Sequence, residues 1–108
     1  QPALKEALGD NDLSVRLNAA IGLSWFGDPA GASLLRDGAG RELYEAARLR
    51  DPMRYARQDI VRDNRVKAIE ALVRLERPED RVFLEGISTE EEDLEVREAA
   101  LRVSKTIE

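Results

Sequence analysis

Apolar residues along this chain recur with the 3.6-residue period of an amphipathic α-helix. Between residues 13 and 26 they form two neighbouring stripes, Val15, Ala19, Leu23 and Phe26 in one, and Leu13, Leu17, Ala20 and Ser24 in the other. Two adjacent stripes make the wide apolar face of a helix that packs between neighbours. We expect Ala19, and Ala100 in a similar stripe near the C-terminus, at close helix contacts. No segment alternates with period two, so the pattern predicts an all-α fold.

Turn and capping residues divide the chain into eight predicted helices, near residues 2–8, 13–26, 29–36, 41–50, 52–62, 64–76, 78–87 and 93–107. Asp12 and Asp93 stand at N-cap positions, where a carboxylate accepts hydrogen bonds from backbone amides. Gly27 follows an apolar run and is predicted to end a helix. Ser88 and Thr89 each precede a glutamate by three residues, which is the spacing of a capping box.

The chain contains an internal repeat. The pattern Asp-Leu-x-Val-Arg begins at Asp12 and again at Asp93, 81 residues later. A less exact copy aligns Arg65 with Arg16 at an offset of 49 residues, and Arg97 follows after a further 32. The sequence therefore predicts about three repeats. The longer first step leaves room for an irregular helical insert, which we place at residues 36–60.

The first copy, residues 8–23, resembles the short bacterial HEAT-like repeat found in phycobilisome lyase subunits. That pattern is Leu-x-Asp-x-Asp-x-x-Val-Arg-x-x-Ala-Ala-x-x-Leu, followed by Gly-Asp-Pro, and the chain matches every defined position. The resemblance covers residues 1–35 and 64–108. It implies a right-handed stack of antiparallel helix pairs, a HEAT-like α-solenoid. It also implies a ladder of hydrogen bonds between neighbouring repeats, formed at the recurring positions Asp12, Arg16, Arg65, Asp93 and Arg97.

Charge is distributed unevenly, although the whole chain has a net charge of −5. Residues 1–40 carry three basic and five acidic side chains, and residues 68–108 carry six and twelve. Residues 41–67 carry eight basic and five acidic side chains, so a locally positive middle lies between negative ends.

The positive middle also contains both tyrosines of the chain, Tyr44 and Tyr55. Arginine and tyrosine are enriched at the energetic centres of protein interfaces. We therefore predict that Tyr44, Arg48, Tyr55 and Arg57 contact a partner with an acidic surface. The alternative is an ordinary charged helix pair, whose arginines meet local carboxylates.

Two further aromatic residues end the first repeat helix. Phe26 aligns with Leu75 at the 49-residue offset, so we expect it in the core. Trp25 aligns with the polar Arg74 and is open to two interpretations, which are packing at a helix end and an exposed partner-binding anchor.

The composition argues against catalysis. The chain has no cysteine and no histidine, which excludes disulfides, thiol chemistry and the commonest general base and metal ligand. The acidic run at residues 90–93 lacks the spacing of a calcium loop, and we expect it to be a solvated loop before a helix. We predict no enzymatic activity, no metal and no cofactor.

The leading functional hypothesis is a protein-binding scaffold. One alternative is a nucleic-acid-binding module that uses residues 41–67, although a net charge of −5 opposes phosphate binding. A second alternative is a subunit or fragment of a bilin lyase-like protein, but the chain lacks the cysteine and histidine that bilin attachment would use.

No run of 18 apolar residues exists, so we predict no membrane span. We expect residues 1–108 to form one domain. Because the chain begins at Gln1 rather than methionine, we also expect it to be a piece of a longer protein, with a cytoplasmic location.

Overall fold

The computed structural model describes residues 2–107. Its helices are α1 (Pro2–Ala7), α2 (Leu13–Trp25), α3 (Ala32–Ala39), α4 (Glu42–Arg48), α5 (Pro52–Tyr55), α6 (Gln58–Val73), α7 (Pro78–Glu90) and α8 (Leu94–Ser104), with a 3-10 turn at Pro29–Gly31 before α3. Every regular element of these residues is helical, which confirms the all-α prediction. None of the helices between residues 2 and 107 combines the length and the apolar composition needed to cross a bilayer.

Three helices, α2, α6 and α8, lie side by side, with α6 in the middle. The first turns of α6 and α8 are joined by Arg62 and Asp93, at 2.8 Å, and their later turns by Glu70 and Arg102, at 3.4 Å. These contacts show that α6 and α8 run parallel. Helix α3 packs on α2 and α6, and α7 packs on α8. The molecule measures 36 × 34 × 15 Å, and its short dimension fits two helix layers with axes about 10 Å apart.

The core is centred on α6, where Ala68, Ile69 and Leu72 are completely buried. Small residues let the neighbouring helices approach closely. Ala19 of α2 and Ala100 of α8 are buried as predicted. The remaining members of the main core cluster come from α2, α3, α6, α7 and α8, and from the segment after α8: Ala20, Leu35, Ala39, Ala71, Leu84, Val96, Ala99, Val103 and Ile107.

Helix α2 ends in a Schellman motif at the predicted position. The amide of Gly27 donates to the Ser24 carbonyl, and the amide of Asp28 donates to the Leu23 carbonyl, both at 3.0 Å. Gly27 has a φ of 69°, which glycine adopts without steric cost. Phe26 is the C-cap, beyond the last helical turn, and is 63% exposed. The core prediction for Phe26 is therefore wrong.

The end of α6 repeats this geometry without the glycine. Glu76 stands 49 residues after Gly27 and has a φ of 51°. An L-residue with a side chain is strained in this region because its Cβ approaches the carbonyl oxygen. The shared conformation at the shared offset shows that the sequence repeat extends to the turn after the helix.

Two predicted boundaries are wrong. A helix break was expected at Asp63, but α6 continues through it, and Asp63 instead pairs with Lys67 one turn later at 2.9 Å. The break falls earlier, at the extended Arg57. Ser88 and Thr89 lie inside α7 and cap nothing, because their hydroxyls donate to carbonyls three residues before them.

We predict opposite effects of alanine at two glycines. A Cβ at Gly31 would lie 2.6 Å from the Ala20 Cβ, whereas a Cβ at Gly86 in α7 would meet nothing within 4 Å. Gly31→Ala should lower the free energy of unfolding by about 2 kcal/mol through overpacking. Gly86→Ala should raise it by roughly 0.5–1 kcal/mol through helix propensity. Urea denaturation measures both, and a Gly31→Ala variant as stable as the parent would contradict the close approach.

We also predict that Glu76→Gly stabilises the protein by about 0.5–1 kcal/mol, because glycine relieves the left-handed strain while losing more entropy on folding. Gly27→Ala is the matched variant at the equivalent turn and should destabilise the protein by about 1 kcal/mol. Thermal melts compare the two, and equal signs would contradict the equivalence of the turns.

Candidate functional site

The predicted insert folds into α4 and α5, which cover the first turns of α2 and α6. Two tyrosines hold it in place. The rings of Tyr44 and Tyr55 lie 6.1 Å apart. The Tyr44 hydroxyl donates to the Gly38 carbonyl at 2.6 Å, and the Tyr55 hydroxyl shares a hydrogen bond with Ser14 Oγ at 3.1 Å. These contacts tie the insert to α3 and α2.

Tyr44 and Tyr55 were predicted to contact a partner, but they are only 1% and 6% exposed. They form a second core cluster with Leu13 and Leu17 of α2. Burial raises the pKa of Tyr44, which keeps its hydroxyl protonated as a donor. The prediction of partner contact is wrong for both tyrosines because their rings are needed to pack the insert.

A cavity of about 250 Å³ opens between α4, α5, α6 and the start of α8. Its lining consists of four arginines, two carboxylates and four uncharged residues: Arg41, Arg48, Arg62 and Arg65; Glu45 and Asp93; Tyr44, Tyr55, Gln58 and Val61. Four guanidiniums against two carboxylates leave an excess of two positive charges. A small cavity with this excess favours an anionic group.

Arg65 and Glu91 form a buried ion pair at the edge of this cavity. Arg65 is 4% exposed, and its Nε donates to the Ala39 carbonyl at the end of α3 at 2.9 Å. Glu91 also accepts from Arg41 at 3.0 Å and from the Asp93 amide at 2.9 Å. Burial alone would raise the pKa of Glu91, but these three donors outweigh it and lower that pKa to about 2. Glu91 is therefore ionised at neutral pH.

The other cavity arginines differ in how firmly they are held. Arg62 Nε donates to Asp93 Oδ2 at 2.8 Å, and Arg41 is paired with Glu91. Arg48 is exposed, and no ion pair among residues 2–107 includes it. The cavity thus combines three positioned guanidiniums with one that has no carboxylate neighbour in the described chain.

The two remaining predicted contact residues lie elsewhere. Arg57 is outside the cavity and pairs with Asp59 at 2.9 Å. Trp25 is 69% exposed, and the Arg74 guanidinium lies over its ring at 3.5 Å. Trp25 therefore does not pack in the core. Helix α2 places it about 16 Å along the axis from Ser14, which contacts the insert.

The repeat positions are structural, but they do not all join neighbouring repeats. Asp12 caps α2, as predicted. Arg16 donates to the Asp10 carbonyl at 2.7 Å, and Arg97 donates to the Glu91 carbonyl at 2.8 Å. Both arginines thus hold the loop six residues before them. The prediction of a ladder between repeats is wrong for Arg16 and Arg97, since each closes its own loop.

The contacts between successive units come from other arginines. Arg62 of α6 binds Asp93, which caps α8 as predicted. Arg54 of α5 reaches the cap residue Asp12 at 3.7 Å, and Arg65 alone of the three recurring arginines spans separate elements.

Sequence reasoning missed Glu91, which it treated as part of a solvated loop. One signal was present. An acidic residue stands two positions before each capping aspartate, Asp10 before Asp12 and Glu91 before Asp93. Each of these side chains accepts a hydrogen bond from the amide of the capping residue, at 2.8 and 2.9 Å.

No protein-family model, curated protein or solved structure shows significant similarity to this chain. The resemblance to HEAT-like repeats therefore rests on the residue pattern alone, and the function has to be argued from the geometry of the site.

We predict that Glu91→Gln lowers the free energy of unfolding at neutral pH by about 3–5 kcal/mol, because Arg65 would keep a buried charge without a counter-charge. The depressed pKa adds a pH dependence. The stabilisation by Glu91 is fully present above its ordinary pKa of 4.5 and is lost as the pH falls towards about 2.

The measurement is urea denaturation of the parent and the variant at several pH values between 2 and 7. Their difference should shrink as the pH falls below 4.5. Glu92→Gln is the control, because the Glu92 side chain is 85% exposed and should contribute little. A difference that stays constant down to the lowest pH would contradict the ion-pair assignment.

Proposed function

We propose that this chain is a non-catalytic HEAT-like module that binds another protein by holding an acidic side chain in the arginine-lined cavity. The observation that carries the proposal is the set of guanidiniums around this cavity. Arg41 and Arg62 are held by carboxylates, and Arg48 beside them has none within the described chain. A guanidinium can grip a carboxylate with two parallel hydrogen bonds, and positioned donors lose little entropy on binding.

Contacts between equivalent residues support the α-solenoid part of the proposal. Trp25 and Arg74 stand 49 residues apart and stack on each other. Glu70 and Arg102 stand 32 residues apart and form an ion pair. These distances are the two repeat steps. Equivalent positions meet in this way when successive repeats stack in register, each against its neighbours.

The charges around the cavity favour a protein ligand over a nucleic acid. Glu92 is 85% exposed and lies 3.6 Å from Arg41, while Glu45 and Asp93 line the cavity itself. A phosphate backbone carries a charge at every nucleotide and would approach these carboxylates. A peptide can place one or two carboxylates at Arg48 and avoid them.

We predict that Arg48→Glu weakens binding of a fluorescent glycine- and serine-based peptide carrying a glutamate pair by at least about tenfold, because it removes and reverses the available charge. Arg57→Glu is the matched control, since Arg57 is equally on the surface but outside the cavity. It should change the dissociation constant by less than about twofold.

Fluorescence anisotropy at low and physiological salt measures both variants, and thermal melts confirm that both fold. Mixed-sequence duplex DNA serves as a second probe under the same conditions. Equal losses in the two variants, or tighter binding to DNA than to the peptide, would contradict the proposal.

A further inference from the structure

A second concavity lies on the other side of Tyr55, between the start of α2 and the turn from α4 to α5. It is a shallow groove of about 730 Å³, with a floor that is mainly apolar: Leu13, Leu43, Ala46, Ala47 and Leu49. Tyr55 also lines the arginine cavity, so the two concavities share one aromatic side chain as a wall.

The lip of this groove exposes large apolar side chains. Leu49 lines it and is 87% exposed, and Met53 in the adjoining α5 is also 87% exposed. A single exposed apolar residue is ordinary on a protein surface. Two of them next to an apolar groove make a continuous surface that a bulky side chain can fill.

The rim of the groove carries an uncompensated positive charge. Its two carboxylates, Asp12 and Asp51, lie 3.7 and 3.5 Å from Arg54. Its two arginines are Arg16 and Arg50. Arg16 donates to backbone carbonyls, and neither arginine belongs to an ion pair formed within residues 2–107. This charge is complementary to an acidic ligand.

We propose that the ligand is an extended peptide segment of a partner protein that combines a bulky apolar side chain with adjacent carboxylates. The apolar side chain fills the groove beside Leu49, and the carboxylates meet Arg48 across Tyr55 and Arg50 at the rim. This inference rests on the proposed function, since it assigns the second half of the same ligand. An extended chain advances about 3.3 Å per residue, so the two features stand within a few residues of each other.

The test uses fluorescent peptides of about ten residues in a glycine and serine host. One set carries a leucine and a glutamate pair at every separation from zero to four residues. A second set carries the glutamate pair alone, and a third carries the leucine with a glutamine pair. We expect the best member of the first set to bind about tenfold more tightly than the second and third sets, as the burial of one apolar side chain provides.

Two variants locate the gain. Ala46→Gln places a polar side chain in the groove, and Leu49→Ala removes apolar surface from its lip. Both positions are exposed, so the fold should tolerate the changes. Each should abolish the tenfold advantage of the leucine while leaving the affinity for the glutamate-only peptides unchanged. Val82→Ala is the control, because Val82 is a 70% exposed apolar residue on α7.

The outcomes separate the two proposals. Glutamate-only peptides that bind as tightly as the combined peptides would overturn the groove assignment and leave the acidic site standing. Binding by none of the peptides would overturn both. Concentration-dependent self-association that Leu49→Ala removes would also overturn the peptide assignment, because a second copy of the chain would then occupy the groove.

Discussion

The buried ion pair between Arg65 and Glu91 is the contact on which the arrangement of the other elements depends. It joins the middle of α6 to the loop between α7 and α8, and through the Ala39 carbonyl it also holds the end of α3. Removing two charges from water is costly, and their attraction offsets this cost only when the remaining donors and acceptors are satisfied. Arg41 and the Asp93 amide satisfy Glu91 here. Because neither charge can slide without losing these partners, we infer that the pair fixes the register of three helices.

The same network explains why the cavity arginines are available for a ligand. A carboxylate that fully neutralised each guanidinium would leave no attraction for an acidic partner. Glu91 is shared between Arg41 and Arg65, and Asp93 is shared between Arg62 and the cap of α8. Sharing positions several guanidiniums with few carboxylates, so the site is rigid and still positive. Rigid donors are those that bind with the smallest loss of conformational freedom.

The sequence predicted the parts of the fold that depend on local chemistry. The helical period, the capping of α2 by Asp12 and the stop at Gly27 are set within a few residues, and all three are confirmed. Features that depend on tertiary contacts were less accessible. The inward packing of Tyr44 and Tyr55 depends on how far the insert folds back over α2, which no local pattern encodes. Phe26 was assigned to the core by its stripe, but the helix ends one residue before it, and a stripe has no meaning beyond the last turn.

The insert is the element that turns a regular stack into a surface with a concave site. The first repeat step, 49 residues, exceeds the second, 32 residues, by 17 residues, and this excess forms the two short helices α4 and α5. Short helices bury little on their own, so the insert needs Tyr44 and Tyr55 as anchors. With both rings turned inward, its arginines are left to face outward. The residues first assigned to binding thus divide by chemistry. The tyrosines hold the wall, and Arg48 on the outer side of that wall meets the ligand. Tyr55 separates the charged cavity from the apolar groove, so one buried ring defines both halves of the proposed site.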